Sequence, residues 1–307
     1  MHLAEGMLPL GQAIGWSAAG AAALAWSIRG EQKARRAPTH APAVMTGVTS
    51  LLFAVTLLPL PVPVVGATSH ICLTPILALL VGVRRIVWPT FFVLLLQAIF
   101  FAHGGLTTLG VNTLTLGLLG PLITIGLWAA MRRMGANSTI GLAIACGVGG
   151  LAVYVTDAFV LAVALADVAE PMTTVTAVIV GFAPVQVPLA VLEAAASVAM
   201  VRVIASRRPD LLPTSLQGLK APPTSSATVA LVVGALGLGG CSYEGIDGTV
   251  FGATAEAAGR APTDSMLDLS QGEVGLAMSI LILFGLGFIA GRSWERIFRR
   301  GSDALPR

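Results

Sequence analysis

Charge is what this sequence has least of. Only 11% of its 307 residues are Asp, Glu, Lys or Arg, where an ordinary soluble domain carries roughly 25%. With 55% of the chain hydrophobic and a mean hydropathy of +0.86, a water-soluble globule is excluded. Cysteine is just as sparse. Cys72, Cys146 and Cys241 have no CxxC spacing and no evident pairing, so neither a disulfide frame nor a thiolate zinc site is indicated. Soluble catalytic signatures are missing too. Without a GxxxxGK[ST] loop the chain does not hydrolyse ATP itself, and it has neither an HExxH helix nor a GxSxG elbow. Nothing in it points to nucleic acid.

What is present is a series of apolar runs near ~20 residues, the length a helix needs to cross a bilayer. They predict nine spans, at about 9–28, 42–62, 70–83, 86–102, 108–131, 139–165, 174–204, 227–243 and 273–291. The expected fold is an all-α polytopic membrane protein, with about seven transmembrane helices in one bundle and two further at its C-terminal side. The third span is short enough to be partly re-entrant, and the seventh long enough to tilt. A cleaved leader is not expected, because no basic residue precedes the first run and Glu5 stands where one belongs.

The basic residues orient the spans. Seventeen of the 18 Lys and Arg fall after spans 1, 3, 5, 7 and 9, the exception being Arg260. By the positive-inside rule that side is cytoplasmic, so the N-terminus is expected outside and the C-terminus inside. The acidic loop 244–273, with Glu244, Asp247, Glu256, Asp264, Asp268 and Glu273, is then external. A Pro- and Ser-rich cytoplasmic linker at 208–226 separates a domain of residues 1–207 from a two-span module at 227–307.

This topology puts His2, His70 and His103 on the outer side and only His40 on the inner, in a basic Pro-rich linker. Histidine is the commonest nitrogen ligand for first-row metals. His2 also follows Met1 directly, and Met1 is expected to be retained before a residue of that size. The α-amine, the His2 amide and the His2 imidazole close adjoining five- and six-membered chelates, a nearly planar set suited to Ni(II), Cu(II) or low-spin Co(II). Two carboxylates fall inside spans, each costing roughly 2.5–3.5 kcal/mol to insert unless partnered. Asp157 is near the outer end of its span and is a candidate to orient a metal-binding histidine. Glu193, beyond Pro184 and Pro188, is expected to make a structural helix-to-helix hydrogen bond.

Four segments resemble one family. Met1-His2-Leu3-Ala4-Glu5-Gly6-Met7-Leu8-Pro9 is similar to the M-H-x-x-[DE]-G-x-L start of the cobalt/nickel M components of energy-coupling-factor (ECF) transporters. Thr68-Ser69-His70 with Leu73-Thr74-Pro75 resembles the family's second histidine motif. Gln97-Ala98 through His103-Gly104-Gly105-Leu106-Thr107-Thr108-Leu109-Gly110-Val111-Asn112 resembles its most specific signature, and Pro188 through Glu193 the Pro-to-Glu segment of its last core helix. The resemblance covers residues 1 to about 207, and residues 227–307 resemble the family's small N component by topology. It implies a substrate-capturing subunit in a prokaryotic inner membrane, with a bundle like that of other ECF substrate-binding subunits. Its cargo would be Co²⁺ or Ni²⁺, held by Met1 nitrogen, His2 amide and imidazole, and His70 imidazole, with His103 in support. No catalytic cofactor is implied. The implied partners are a transmembrane coupling subunit and two cytoplasmic ATPase subunits. Two other classes stay open on the residues alone: a membrane hydrolase using an external metal with Asp157 as base, and a scaffold with incidental histidines.

Overall fold

A computed structural model describes residues 2–35, 42–57, 60–62, 67–217, 219, 244–245, 247–264, 269 and 272–299. In chain order the main elements are α1 (Leu10–Arg35), α2 (Pro42–Leu57), β1 (Leu60–Val62), β2 (Ala67–Ser69), α3 (Thr74–Val81), α4 (Val83–Phe100), α5 (Leu109–Leu114), α6 (Gly120–Arg133), α7 (Ser138–Ala164), α8 (Pro171–Arg207) and β3 (Glu244–Gly245). A short helix, Ala253–Ala257, and a long one, Gly272–Arg299, follow. A π-helical turn at Thr115–Leu119 joins α5 to α6 without interrupting the rod. The architecture is that of an all-α polytopic membrane protein with one small ribbon added.

Among the described residues, four helices are long and apolar enough to cross a membrane: Val83–Phe100, Leu109–Arg133, Ser138–Ala164 and Pro171–Arg207. They match predicted spans four to seven within a few residues. α8 continues as helix through Pro184 and Pro188 for 37 residues, about 55 Å of axis. The C-terminal helix matches the ninth predicted span and lies against α2. The predicted span 227–243 lies outside the described residues.

The third predicted span is corrected. Residues 70–83 do not form one crossing helix: His70–Leu73 have no regular structure and end in a left-handed Leu73, and α3 occupies only Thr74–Val81. The eight helical residues rise about 12 Å, and the irregular His70–Leu73 stretch adds to that. Together they carry the chain from the histidine end of the bundle to Arg84 and Arg85. There Arg84 donates to the Trp26 carbonyl and Arg85 pairs with Glu31 at 2.8 Å, both near the C-terminal end of α1. At the other end, Gln12 near the start of α1 donates to the Val163 carbonyl at the end of α7. The histidine segments and the basic clusters therefore occupy opposite ends of the bundle.

Small residues set the closest helix approach. α1 crosses α5 where a Cβ on Gly20 would stand 2.7 Å from Gly110 Cα, and one on Gly110 would stand 2.4 Å from the Trp16 carbonyl oxygen. In lipid, where no hydrophobic effect drives helices together, such close approach lets dispersion do so. Gly110→Ala should therefore lower the melting temperature in detergent by several degrees, since overpacking costs about 1–3 kcal/mol. Gly15→Ala, where nothing lies within 4 Å, should leave it unchanged. Equal melting temperatures for the two variants would show that the crossing is not tight.

Candidate metal centre

The chain ahead of α1 is not a loose tail. Leu3 is fully buried, and its amide is bonded on both sides by one side chain. Its N–H donates to Asn112 Oδ1 at 3.0 Å, and its carbonyl accepts from Asn112 Nδ2 at 3.0 Å and Thr108 Oγ1 at 2.6 Å. The Asn112 carboxamide thus pairs with Leu3 as a neighbouring strand would. Two residues on, the Glu5 carboxylate accepts from the Leu106 N–H at 2.6 Å and the Thr107 N–H at 3.3 Å. The fit requires glycine at Gly105, where a Cβ would lie 2.6 Å from the Glu5 nitrogen. These bonds hold His2 over the α4–α5 connection, and spacing alone does not reveal them.

His70 follows β2, which pairs antiparallel with β1. Its neighbour Ser69 accepts from Gln186 Nε2 on α8 at 2.8 Å. Three residues beyond His70, Leu73 takes a left-handed φ of 52°, a conformation costly for a side chain of that size. Its N–H donates to Glu193 Oε1 at 2.8 Å, and Gly150 leaves the space that Glu193 fills. Glu193 was expected to bond another spanning helix; its partner here is the backbone of the His70 segment. His103 caps the end of α4 through its N–H, which donates to the Gln97 carbonyl at 3.1 Å.

These three segments bring three imidazoles to one point. His2 Nδ1 lies 2.8 Å from His103 Nε2, and His103 Nε2 lies 3.4 Å from His70 Nε2. Two nitrogens on one ion at bond lengths of 2.0–2.1 Å stand about 2.9 Å apart at a right angle and about 3.4 Å apart in a tetrahedron. The separations fit a shared metal. The inward nitrogen of His2 is Nδ1, the one that closes a six-membered chelate with its own amide. Burial pushes all three imidazoles below their ordinary range, with neighbouring positive charge adding to it, and His103 falls to about 4. They are neutral at pH 7, with lone pairs available.

A fourth group joins them from far along the chain. Ligand atoms of His2, His70, His103 and Asp247 all lie within 4.8 Å of one another. Sequence reading placed Asp247 only in an acidic external loop. Asp157, the carboxylate it favoured, is fully buried in α7, with the Thr115 side chain beside it. The structure does not bring Asp157 against a histidine. Met1 and His40 lie outside the described residues.

The chain is similar to known metal-uptake proteins. Residues 2–211 match the family described as "CbiM: Cobalt uptake substrate-specific transmembrane region". A cobalt transport protein CbiM of Geobacter sulfurreducens is 35% identical over 97% of this chain and 90% of its own length. One of Sorangium cellulosum is 34% identical over 74% of this chain and all of its own length. A crystal structure of a transition metal transporter superposes on 71% of this chain and 100% of its own, with a TM-score of 0.58 at 21% identity, which supports the fold.

The depressed imidazoles have a consequence for stability. The unfolded chain binds protons below its ordinary histidine pKa of 6.5, whereas folded His103 refuses them until about 4. Stability of the metal-free protein therefore falls as pH drops from 6.5 towards 4. Melting temperatures in detergent should decline across that window, and His103→Gln should flatten the decline. An unchanged slope would mean that burial does not hold this ring neutral.

Proposed function

We propose, from the premise that the chain belongs to the family of cobalt-uptake substrate-specific transmembrane regions, that it captures Co²⁺ or Ni²⁺ outside the cell for inward delivery. At the coarser level it is a multi-pass membrane component of a metal-uptake system, a transport subunit rather than an enzyme, and it works with partner subunits. The finer reading is an ECF transporter in a prokaryotic inner membrane, with the N-terminus outside. ATP hydrolysis belongs to two cytoplasmic ATPase subunits, and a transmembrane coupling subunit transmits it.

The observation that carries this reading is the meeting of His2 Nδ1, His70 Nε2 and His103 Nε2 at the bundle end opposite the basic clusters. The ion is held by the Met1 amine, the His2 amide and imidazole, and the His70 imidazole. His103 is the positioning group, its ring packed edge-on against both the His2 and the His70 rings. The two domains, 1–207 and 227–307, act as capture unit and accessory module. Nitrogen donors exclude Mg²⁺ and Ca²⁺, which want oxygen, and a planar set disfavours tetrahedral Zn²⁺. Cu²⁺ gains at least as much from such a site, so metal availability contributes to selectivity.

Metal analysis of purified, untagged variants tests the assignment. His70→Ala should bind no stoichiometric metal, His103→Ala should bind about 10–100-fold more weakly, and His40→Ala should bind normally. One residue inserted between Met1 and His2 should abolish binding while leaving membrane insertion intact. Full occupancy in the insertion variant would remove the amine from the ligand set, and full occupancy in His70→Ala would reverse the roles given to His70 and His103.

A further inference from the structure

The segment that carries Asp247 covers the histidine end of the bundle, and it is anchored to the same three stretches of chain that carry the histidines. Beside His70, β3 adds to β2 as a parallel strand, with Glu244 opposite Ala67 and Gly245 opposite Thr68. Beside His2, the Thr263 N–H donates to the Glu5 carbonyl at 3.0 Å, and Gly6, at φ +83°, leaves room for the Thr263 side chain. Ahead of His103, the Leu269 N–H donates to the Ile99 carbonyl at 2.8 Å. Phe251 is fully buried and packs on Phe182 of α8 with ring centroids 4.5 Å apart. Arg260 pairs with Asp167 at 2.6 Å, beyond the end of α7.

We propose that residues 244–245 and 247–264 form a lid over the metal site, and that Asp247 is its ligand, donating a carboxylate oxygen to the ion that the histidine segments hold. This rests on the metal-capture reading above and adds a donor from outside the matched region, residues 2–211. The chemistry is complementary. Planar nitrogen coordination leaves the axial positions of Co(II) or Ni(II) open, and a carboxylate is a hard donor that occupies one of them. It also brings negative charge to a dication whose nitrogen set, with the His2 amide deprotonated on binding, offsets only one of its two charges. Docking the lid and adding the axial donor are then one event, so an ion seated in the nitrogen set favours the closed lid by the affinity it gains from Asp247.

The test uses the full chain loaded with Ni²⁺ and compares wild type with Asp247→Asn and Asp247→Ala. An axial oxygen makes Ni(II) high-spin and paramagnetic, whereas a bare planar nitrogen set makes it low-spin and diamagnetic. Wild type should be paramagnetic and both variants diamagnetic, with release to an external chelator faster by about tenfold or more, since even supporting groups around a metal are worth that much. His70→Ala, measured in parallel, separates the two readings. If it retains stoichiometric Ni²⁺, the nitrogen ligand set given above, with His70 as ligand and His103 as support, is what fails. If it loses the ion while wild type and both Asp247 variants share one spin state and one release rate, only the lid ligand is overturned.

Discussion

Everything at the histidine end depends on the pairing of one carboxamide with one peptide group. Asn112 donates to and accepts from Leu3, and by doing so it makes the first residues of the chain part of the bundle rather than an appendage. A buried peptide group without partners costs several kcal/mol in an apolar setting. The paired geometry removes that cost only at the register in which His2 faces His103. Glu5 adds a second point of attachment at the start of α5, so the segment is fixed in rotation as well as in depth.

The same logic recurs around His70. An extended backbone inside a membrane protein is tolerable only where its polar groups find protein partners. Here they do: β1 and β3 flank β2, Gln186 reaches Ser69, and Glu193 satisfies the strained Leu73. Two intramembrane polar residues of α8 thus serve a short irregular stretch, and that stretch aims one imidazole. The insertion cost of Glu193 is the cost of interrupting a helix at the one place where a ligand must be presented.

Much of this was legible beforehand. Spans four to seven could be read because long apolar runs leave helix as the one economical structure in lipid, and their edges fall where charge or proline begins. The histidines could be sorted to one side because basic residues cluster after alternate spans. Residues 70–83 were read as one short span, partly re-entrant at most, because apolar content says nothing about the left-handed turn at Leu73. The strands were invisible, being three residues or fewer. Asn112 stood inside a recognised motif, yet its bond to Leu3 joins residues 109 apart. Asp247 was hidden for the same reason, while Asp157 attracted attention by being a carboxylate in a span, where rarity is conspicuous and contact is not.

The cover over the site is attached in an unusual currency. At β2, at Glu5 and at Ile99, the bonds that hold it run from main chain to main chain. Main-chain recognition does not depend on which side chains the segment carries, apart from Asp247, the buried Phe251 and the paired Arg260. Such a segment is free to drift in sequence while keeping its place, and a relative that aligns along all of its own length with 74% of this chain shows how much of the matching can be done without the remainder. Two proteins with equivalent covers would then look unrelated in that region, and their kinship would be visible only as a strand laid beside a strand.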